Sequence, residues 1–332
     1  MKNLLKQTEF YLAVVIVLLA IVITALNPDF LTLQNIFGLL KSFSVIGIMA
    51  VGVLFVMVLG GTPDVSFTAI AQVAQYVVVL MTIHWGGNLF LAFLVAAVLG
   101  TILGSANGFI IHYFKVPTIV VSIALYNLYF GLLYVFTGGN VIYEVPEMFH
   151  KFADVEFFTM TGQAGSTFGL TLFPLVWLAV LLLGWFILRH TTLGRSVYAI
   201  GGNEVAAERV GINIFKTRVF VFSFLGFLAG IASIVHVAIV QSAIPNIIVG
   251  QELNVIAAVV LGGVSVFGGK GRVVGTFLGV ALFAILNNGL TLLRISSYWY
   301  QVSIGVVIVV SISINAVQEL IQQRRRVRVN VE

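Results

Sequence analysis

The chain contains no cysteine, and only 9% of its 332 residues carry charge. The first absence excludes disulfides and thiolate metal sites. The second excludes an ordinary soluble domain, in which about a quarter of residues are charged. Motifs for catalysis or energy conversion are missing as well. Gly262 to Gly271 reads GGVSVFGGKG and superficially suggests a phosphate loop. A P-loop requires a Gly four residues removed from the Gly-Lys pair, and Ser or Thr after it. Val264 and Gly271 occupy those positions, so ATP is not bound that way. There is no His/Glu metal cluster and no Gly-x-Ser-x-Gly elbow, hence no catalytic residue and no cofactor is expected. The energy for any transport must come from an ion gradient or from another chain.

What is present is apolar. Hydrophobic residues make up 60% of the chain, with 33 glycines and a mean hydropathy of +1.11. The fold class that follows is an all-α polytopic membrane protein, a single transmembrane domain over residues 1–332. The net charge of +5 sits mostly in loops and at the C-terminus, a topological pattern that gives no reason to invoke nucleic acid. Apolar runs predict about ten spans, at 10–26, 43–59, 67–83, 89–111, 118–136, 169–188, 219–240, 253–267, 273–287 and 298–315. The first follows Lys2 and Lys6 and has no small-residue cleavage site after it, so it reads as a retained span. With both termini cytoplasmic, ten crossings put Lys115, the 189–218 loop, Lys270/Arg272 and the basic tail at 317–332 inside. The acidic 137–168 segment then falls outside. Several runs are shorter than the roughly 20 residues a bilayer requires, so one or two spans are expected to be broken or re-entrant.

The 189–218 loop carries five of the chain's cations, Arg189, Arg195, Arg209, Lys216 and Arg218, against Glu204 and Glu208. Within it a short helix is punctuated by Asn203 as N-cap, Glu204 in the first turn and Gly211 as a C′ residue. About two turns of helix are unstable alone in water. Either the rest of the chain or a partner must hold it.

The string Gly100-Thr101-Ile102-Leu103-Gly104 recurs as Gly275-Thr276-Phe277-Leu278-Gly279, one in the fourth span and one in the ninth. Each joins a ladder of small residues, Gly100, Gly104, Gly108 and Gly271, Gly275, Gly279, suited to close helix packing in lipid. An offset of five spans predicts a 5+5 inverted repeat. The third span places Asp64, Thr68, Gln72, Gln75 and Thr82 on one helical face. Such groups must face the bundle interior or a wet cavity. Interhelical hydrogen bonding and lining of a solute pathway are both consistent with that face. Asn107, Asn127, Asn287 and Asn288 are further candidates. Asp64 and Glu252 each open a helix, where the dipole favours an acid, or else contact a solute or a docking protein. His236 reads as a packed, hydrogen-bonded histidine, and Tyr298, Trp299 and Tyr300 as an interfacial belt.

The segments GRSVYAIGGNEVAAERVGI (Gly194 to Ile212) and ELNVIAAVVLGGVSVFGGKGRVVGTFLG (Glu252 to Gly279) closely resemble the permease subunits of ribose-type ABC importers. The resemblance extends through NPDFLTLQNI and NNGLTLL (Asn287 to Leu293), nearly the whole chain. It implies a type II-like importer permease in a bacterial inner membrane, moving a monosaccharide or the furanone-type signal autoinducer-2. It also implies a cytoplasmic ABC ATPase, a periplasmic or lipid-anchored solute-binding protein, and a second permease subunit, identical or not. Asn203, Glu204, Ala206, Ala207 and Gly211 echo the EAA…G pattern of importer coupling loops, which implies docking on the ATPase. Where the family usually reads SGGIDLSVG, this chain has GGTPDVSFT from Gly60 to Thr68. Asp64 and Ser66 are kept; Thr62-Pro63 and Phe67-Thr68 depart, which bears on the solute and on pairing with a non-identical partner. A secondary transporter driven by an ion gradient is the competing reading.

Overall fold

The structure, a computed structural model, describes residues 8–60, 62–161, 167–296, 298–303, 305, 306 and 309. The basic tail at 317–332 and half of the expected tenth span at 298–315 lie outside the described residues. In chain order the helices are α1 (Thr8–Leu26), α2 (Leu33–Gly60), α3 (Phe67–Trp85), α4 (Leu89–Phe114), α5 (Thr118–Thr137) and α6 (Glu147–Asp154). A two-stranded antiparallel hairpin follows, β1 (Glu156–Thr161) and β2 (Thr167–Thr171). Then come α7 (Phe173–His190), α8 (Thr192–Gly202), α9 (Glu204–Arg209), α10 (Ile214–Val240), α11 (Glu252–Leu261) and α12 (Val273–Leu292).

Eight of these, α1–α5, α7, α10 and α12, are long and apolar enough to cross a membrane. Helix ends follow local chemistry. The Asn88 side chain accepts from Leu91 N at 2.8 Å and starts α4; Asn203 and Asn213 do the same for α9 and α10. Lys115 in the left-handed region and Pro117 separate α4 from α5, and Gly138 at φ +62° stops α5.

The core lies around α2 and α10. In α2 nearly every residue from Phe43 to Leu59 is buried, and Phe55 of α2 meets Phe224 of α10 with ring centroids 4.8 Å apart. By contrast α1 exposes Val14, Val15, Leu18, Ile21 and Val22, the signature of a lipid-facing helix. Contacts between distant parts of the chain sort the helix ends into two sets. Glu9–Arg272, Val58–Gly269 and His112–Arg218 mark one end of the bundle. Asn27–Leu292, Asn35–Asn288 and the Ile142–Ala243 bridge mark the other.

Several expected boundaries are corrected. The eighth span at 253–267 is the ten-residue α11, stopped at Leu261 by Gly262 and Gly263, the latter at φ +85°. Ten helical residues reach about 15 Å, half a bilayer's hydrocarbon thickness. The second span begins at Leu33, ten residues earlier than expected, because the Thr32 hydroxyl accepts from Asn35 N and opens the helix early. The sixth begins at Phe173, because 167–171 pairs with 156–161 as strand; the ninth continues to Leu292.

The glycine ladders do pack backbones together, on unequal partners. Gly100, Gly104 and Gly108 of α4 face Gly226, Phe222 and Val219 of α10. Gly275 and Gly279 of α12 face Gly262 and Ala258 around the end of α11. Gly271 precedes α12, outside any helix, and rests against Leu54 and Val58 of α2.

Candidate functional site: a buried polar seam and an exposed foot

The link from α2 to α3 turns inside the bundle. Asp64 Oδ1 accepts from both the backbone N and the Oγ of Ser66 at 2.6 Å, and its Oδ2 accepts from Asn107 Nδ2 at 3.1 Å. Asn107 Nδ2 also reaches Ser66 Oγ at 2.5 Å, and Tyr129 OH donates to Asn107 Oδ1 at 3.2 Å. All four residues are buried. Asn107 precedes the end of α4 by seven residues, so this knot sits about 10 Å below that end. A buried carboxylate with three donors aimed at it is satisfied without a cation.

From there the polar face of α3 runs toward the opposite end beside residues 241–252. After α10 stops at Gln241 (φ +57°), the chain does not leave the bundle. Ala243 bridges to Ile142; Gln72 Nε2 then donates to Ile244 O at 2.5 Å, and Gln72 Oε1 accepts from Ile248 N at 3.0 Å. Thr68 Oγ1 donates to Glu252 Oε2 at 3.1 Å, an oxygen that also accepts from Gly250 N at 2.9 Å. Residues 241–252 are thus a re-entrant segment whose backbone groups are met by α3 side chains, the condition for irregular backbone at membrane depth. The segment brings the first turns of α3 and α11 together, pointing away from each other. Nearer the outer turns of α3, Gln75 Oε1 meets His236 Nδ1 at 2.7 Å and Tyr76 OH donates to Asn140 O at 2.9 Å.

Of the candidate pathway residues, Asp64, Ser66, Thr68, Gln72, Gln75 and Asn107 are therefore gathered into one seam. Asn127 is exposed on α5 and bonds its own helix at Ile123 O. Asn287 is partly buried at the Asn27/Leu292 end, in a cavity of about 990 Å³ lined by Thr32, Gln34, Asn35, Ser42 and Asn288. Asn35 and Asn288 exchange amide hydrogen bonds at 2.8 and 2.9 Å across it. Tyr129 gave no signal in the sequence, being one aromatic among many in α5. Glu252 stood out only as an acid at a helix start.

At the end marked by Arg272 and Arg218, α8 clamps three parts of the chain. Gly201 backs onto the Val58 carbonyl of α2, which also accepts from Gly269 N at 2.8 Å; Tyr198 OH donates to Gly271 O at 2.7 Å. A Cβ on Gly201 would enter that carbonyl, so only glycine fits. Helix α9 stands out from this clamp. Asn203 Oδ1 accepts from Ala206 N at 2.9 Å, and Gly211 at φ +86° closes the C-terminus. Ala207 is buried, while Ala206, Val205 and Val210 are exposed. Glu204 pairs with Arg218 at 2.8 Å, and Arg218 in turn meets His112 at 3.2 Å, tying α9 to α10 and α4.

This bundle, with a broken span at its centre and a short helix displayed at one end, defines a polytopic transport protein. The chain belongs to the family described as branched-chain amino acid transport system / permease component, whose model matches residues 35–312. It is 38% identical over 306 residues to the ribose import permease protein RbsC of Escherichia coli, covering 92% of each chain. It is 35% identical over 309 residues to RbsC of Haemophilus influenzae (93% and 92% covered). It is also 32% identical over 310 residues to the autoinducer 2 import system permease protein LsrC of Klebsiella pneumoniae (93% and 86%). No solved structure gives a significant match.

Proposed function

We propose that the chain is the membrane half of a binding-protein-dependent ABC importer for a monosaccharide or similar polyhydroxylated solute. It hydrolyses no ATP itself; α9 is the foot on which a separate ATPase subunit pushes. The observation that carries this reading is the foot's construction. Helix α9 is capped at both ends and exposed, yet tied by Glu204–Arg218 to α10 and joined through α8 to the end of α2. Force on Asn203, Glu204, Ala206 or Gly211 is thereby delivered to the two helices at the centre of the core. The cations at this end favour a cytoplasmic setting by the positive-inside rule, and in this reading both termini lie on that side and the 137–168 segment on the other. The protein then resides in a bacterial inner membrane, receives solute from a binding protein at the outer end, and pairs with a second permease chain.

The solute class rests on chemistry and on the relatives' names. A vestibule and seam built from Asn, Gln, Thr and Ser exchange hydrogen bonds with hydroxyl groups, and relatives carry the names of ribose and xylose transport. Asp64, Ser66, Thr68, Gln72, Gln75, Asn107 and Asn287 would meet solute as the seam opens, with Asn127 the outlier. The test is co-purification of the full chain, expressed in its native host, with an ABC ATPase subunit. Glu204→Trp with Gly211→Val should abolish capture, as should Val205→Asp with Val210→Asp, which alters only exposed side chains. Uptake that persists without any ATPase and collapses with an ionophore would instead establish a gradient-driven carrier.

A further inference from the structure

A second polar site lies at the membrane edge, away from the seam. The start of α1 and the last turns of α7 both pack on the first turns of α12, and between them runs a cavity of about 670 Å³. Its lining includes Arg189, Arg272, Trp185, Tyr198 and Glu9. A smaller cavity of about 380 Å³ shares Glu9, Tyr198 and Arg272 and adds Lys270. Among the described residues, three cations therefore face one carboxylate. Arg189 lies over the Trp185 ring, 5.8 Å from its centroid. The Arg272 side chain, held to Glu9 at 3.3 Å, remains 63% exposed and is free to take a second partner.

We propose that this notch binds the phosphate of an anionic phospholipid. Position argues for it. Arg189 and Arg272 each sit where a span meets its loop, the level of lipid phosphates, and Trp185 lies one turn deeper. The approach to it is apolar: α1 is the least buried of the eight long helices, and Val274 in the lining is 56% exposed. Acyl chains can lie against α1 while the headgroup reaches the cations. Arg presents a planar fork suited to a phosphate, and basic pockets between spans are a recurrent way of holding anionic lipid headgroups. A site for soluble anions would not need that apolar approach, yet the phosphate chemistry is the same, so the experiment must separate the two.

The full chain, purified in detergent, is titrated with short-chain phosphatidylglycerol, phosphatidylcholine or inorganic phosphate, and binding is read by native mass spectrometry and by melting temperature. Phosphatidylglycerol should be retained in preference to phosphatidylcholine. Arg189→Gln and Arg272→Gln should each weaken retention about fivefold, the effect of one interfacial cation. Glu9→Gln, which removes the competing carboxylate and frees Arg272, should strengthen it. Arg189→Lys keeps the charge and should lose less than Arg189→Gln, which separates loss of charge from loss of folding. Equal retention of the two lipids, or Arg variants and Glu9→Gln that all move retention the same way, would overturn the proposal. Inorganic phosphate stabilising as well as phosphatidylglycerol would likewise overturn it in favour of a soluble-anion site.

Discussion

If close approach of α4 and α10 holds the core together, a single methyl group at the contact should do more harm than its helix propensity does good. A Cβ on Gly100 would collide with the Gly226 carbonyl, with the carbonyl carbon at 2.9 Å and Gly230 N at 3.2 Å. All three are backbone atoms, which no rotamer change can clear. Non-bonded heavy atoms settle at about 3.5–4.0 Å, so the helices must part by roughly 1 Å. Overpacking of this kind costs about 1–3 kcal/mol. Gly131 in α5 is the control, since nothing lies within 4 Å of its would-be Cβ. Gly131→Ala should gain the helix-propensity difference of about 0.5–1 kcal/mol. The two substitutions are chemically identical, yet Gly100→Ala should melt below wild type and Gly131→Ala at or above it, by thermal denaturation in one detergent. Gly100→Ala melting as high as Gly131→Ala would refute the claim that this contact is made by backbone.

Two further outcomes follow from the polar contacts. Asp64→Asn turns an acceptor for three donors into a group whose NH₂ must face one of them, costing about 1.5–3 kcal/mol in a melting experiment. Because Asn107 belongs to the same network, the loss should be non-additive with Asn107→Ala, an interaction of about 0.5–3 kcal/mol in a double-mutant cycle. At the foot, Glu204 is half exposed, so a double-mutant cycle with Arg218 should give less than about 1 kcal/mol. The pair's effect should show instead in transport, where reversing both charges restores activity lost by reversing Glu204 alone.

Much of this architecture was legible in the chain because its causes are local. Hydropathy located eight of the ten expected spans, Asn203 and Gly211 bracketed α9, and spacings of three and four put the polar residues of α3 on one face. The ladders at Gly100/Gly104 and Gly275/Gly279 were visible too, though not that one meets α10 and the other α11. What could not be read are contacts made by backbone across long separations. Ile244 O and Ile248 N meet Gln72 more than 170 residues away, and no side-chain pattern in 241–252 announces that it re-enters the bundle. The eighth span looked too long for the same reason: 262–267 is apolar, but its shape is set by Gly262 packing on Gly275 of α12 and by Gly263 at φ +85°, which hydropathy does not weigh.

The re-entrant segment is also where movement should begin. Two hydrogen bonds of Gln72 and one of Thr68 hold 244–252 against α3. Three such bonds at a net 0.5–1.5 kcal/mol each amount to about 1.5–4.5 kcal/mol. Reversing a two-state population from 1:99 to 99:1 takes about 5.5 kcal/mol, so the seam is strong enough to stay shut at rest and weak enough to be opened by a partner. Gln72→Ala removes two of the three. It should raise the fraction of time the segment is open by about 5- to 150-fold, the equivalent of about 1–3 kcal/mol. The chain's lack of cysteine makes this measurable, because a thiol introduced at Ile248, which is 2% exposed, has no competitor. Ile248→Cys should react slowly with a maleimide in membranes, and faster by that factor once Gln72→Ala is added. Equal labelling rates in the two backgrounds would mean that Gln72 is not a latch and that the seam opens elsewhere.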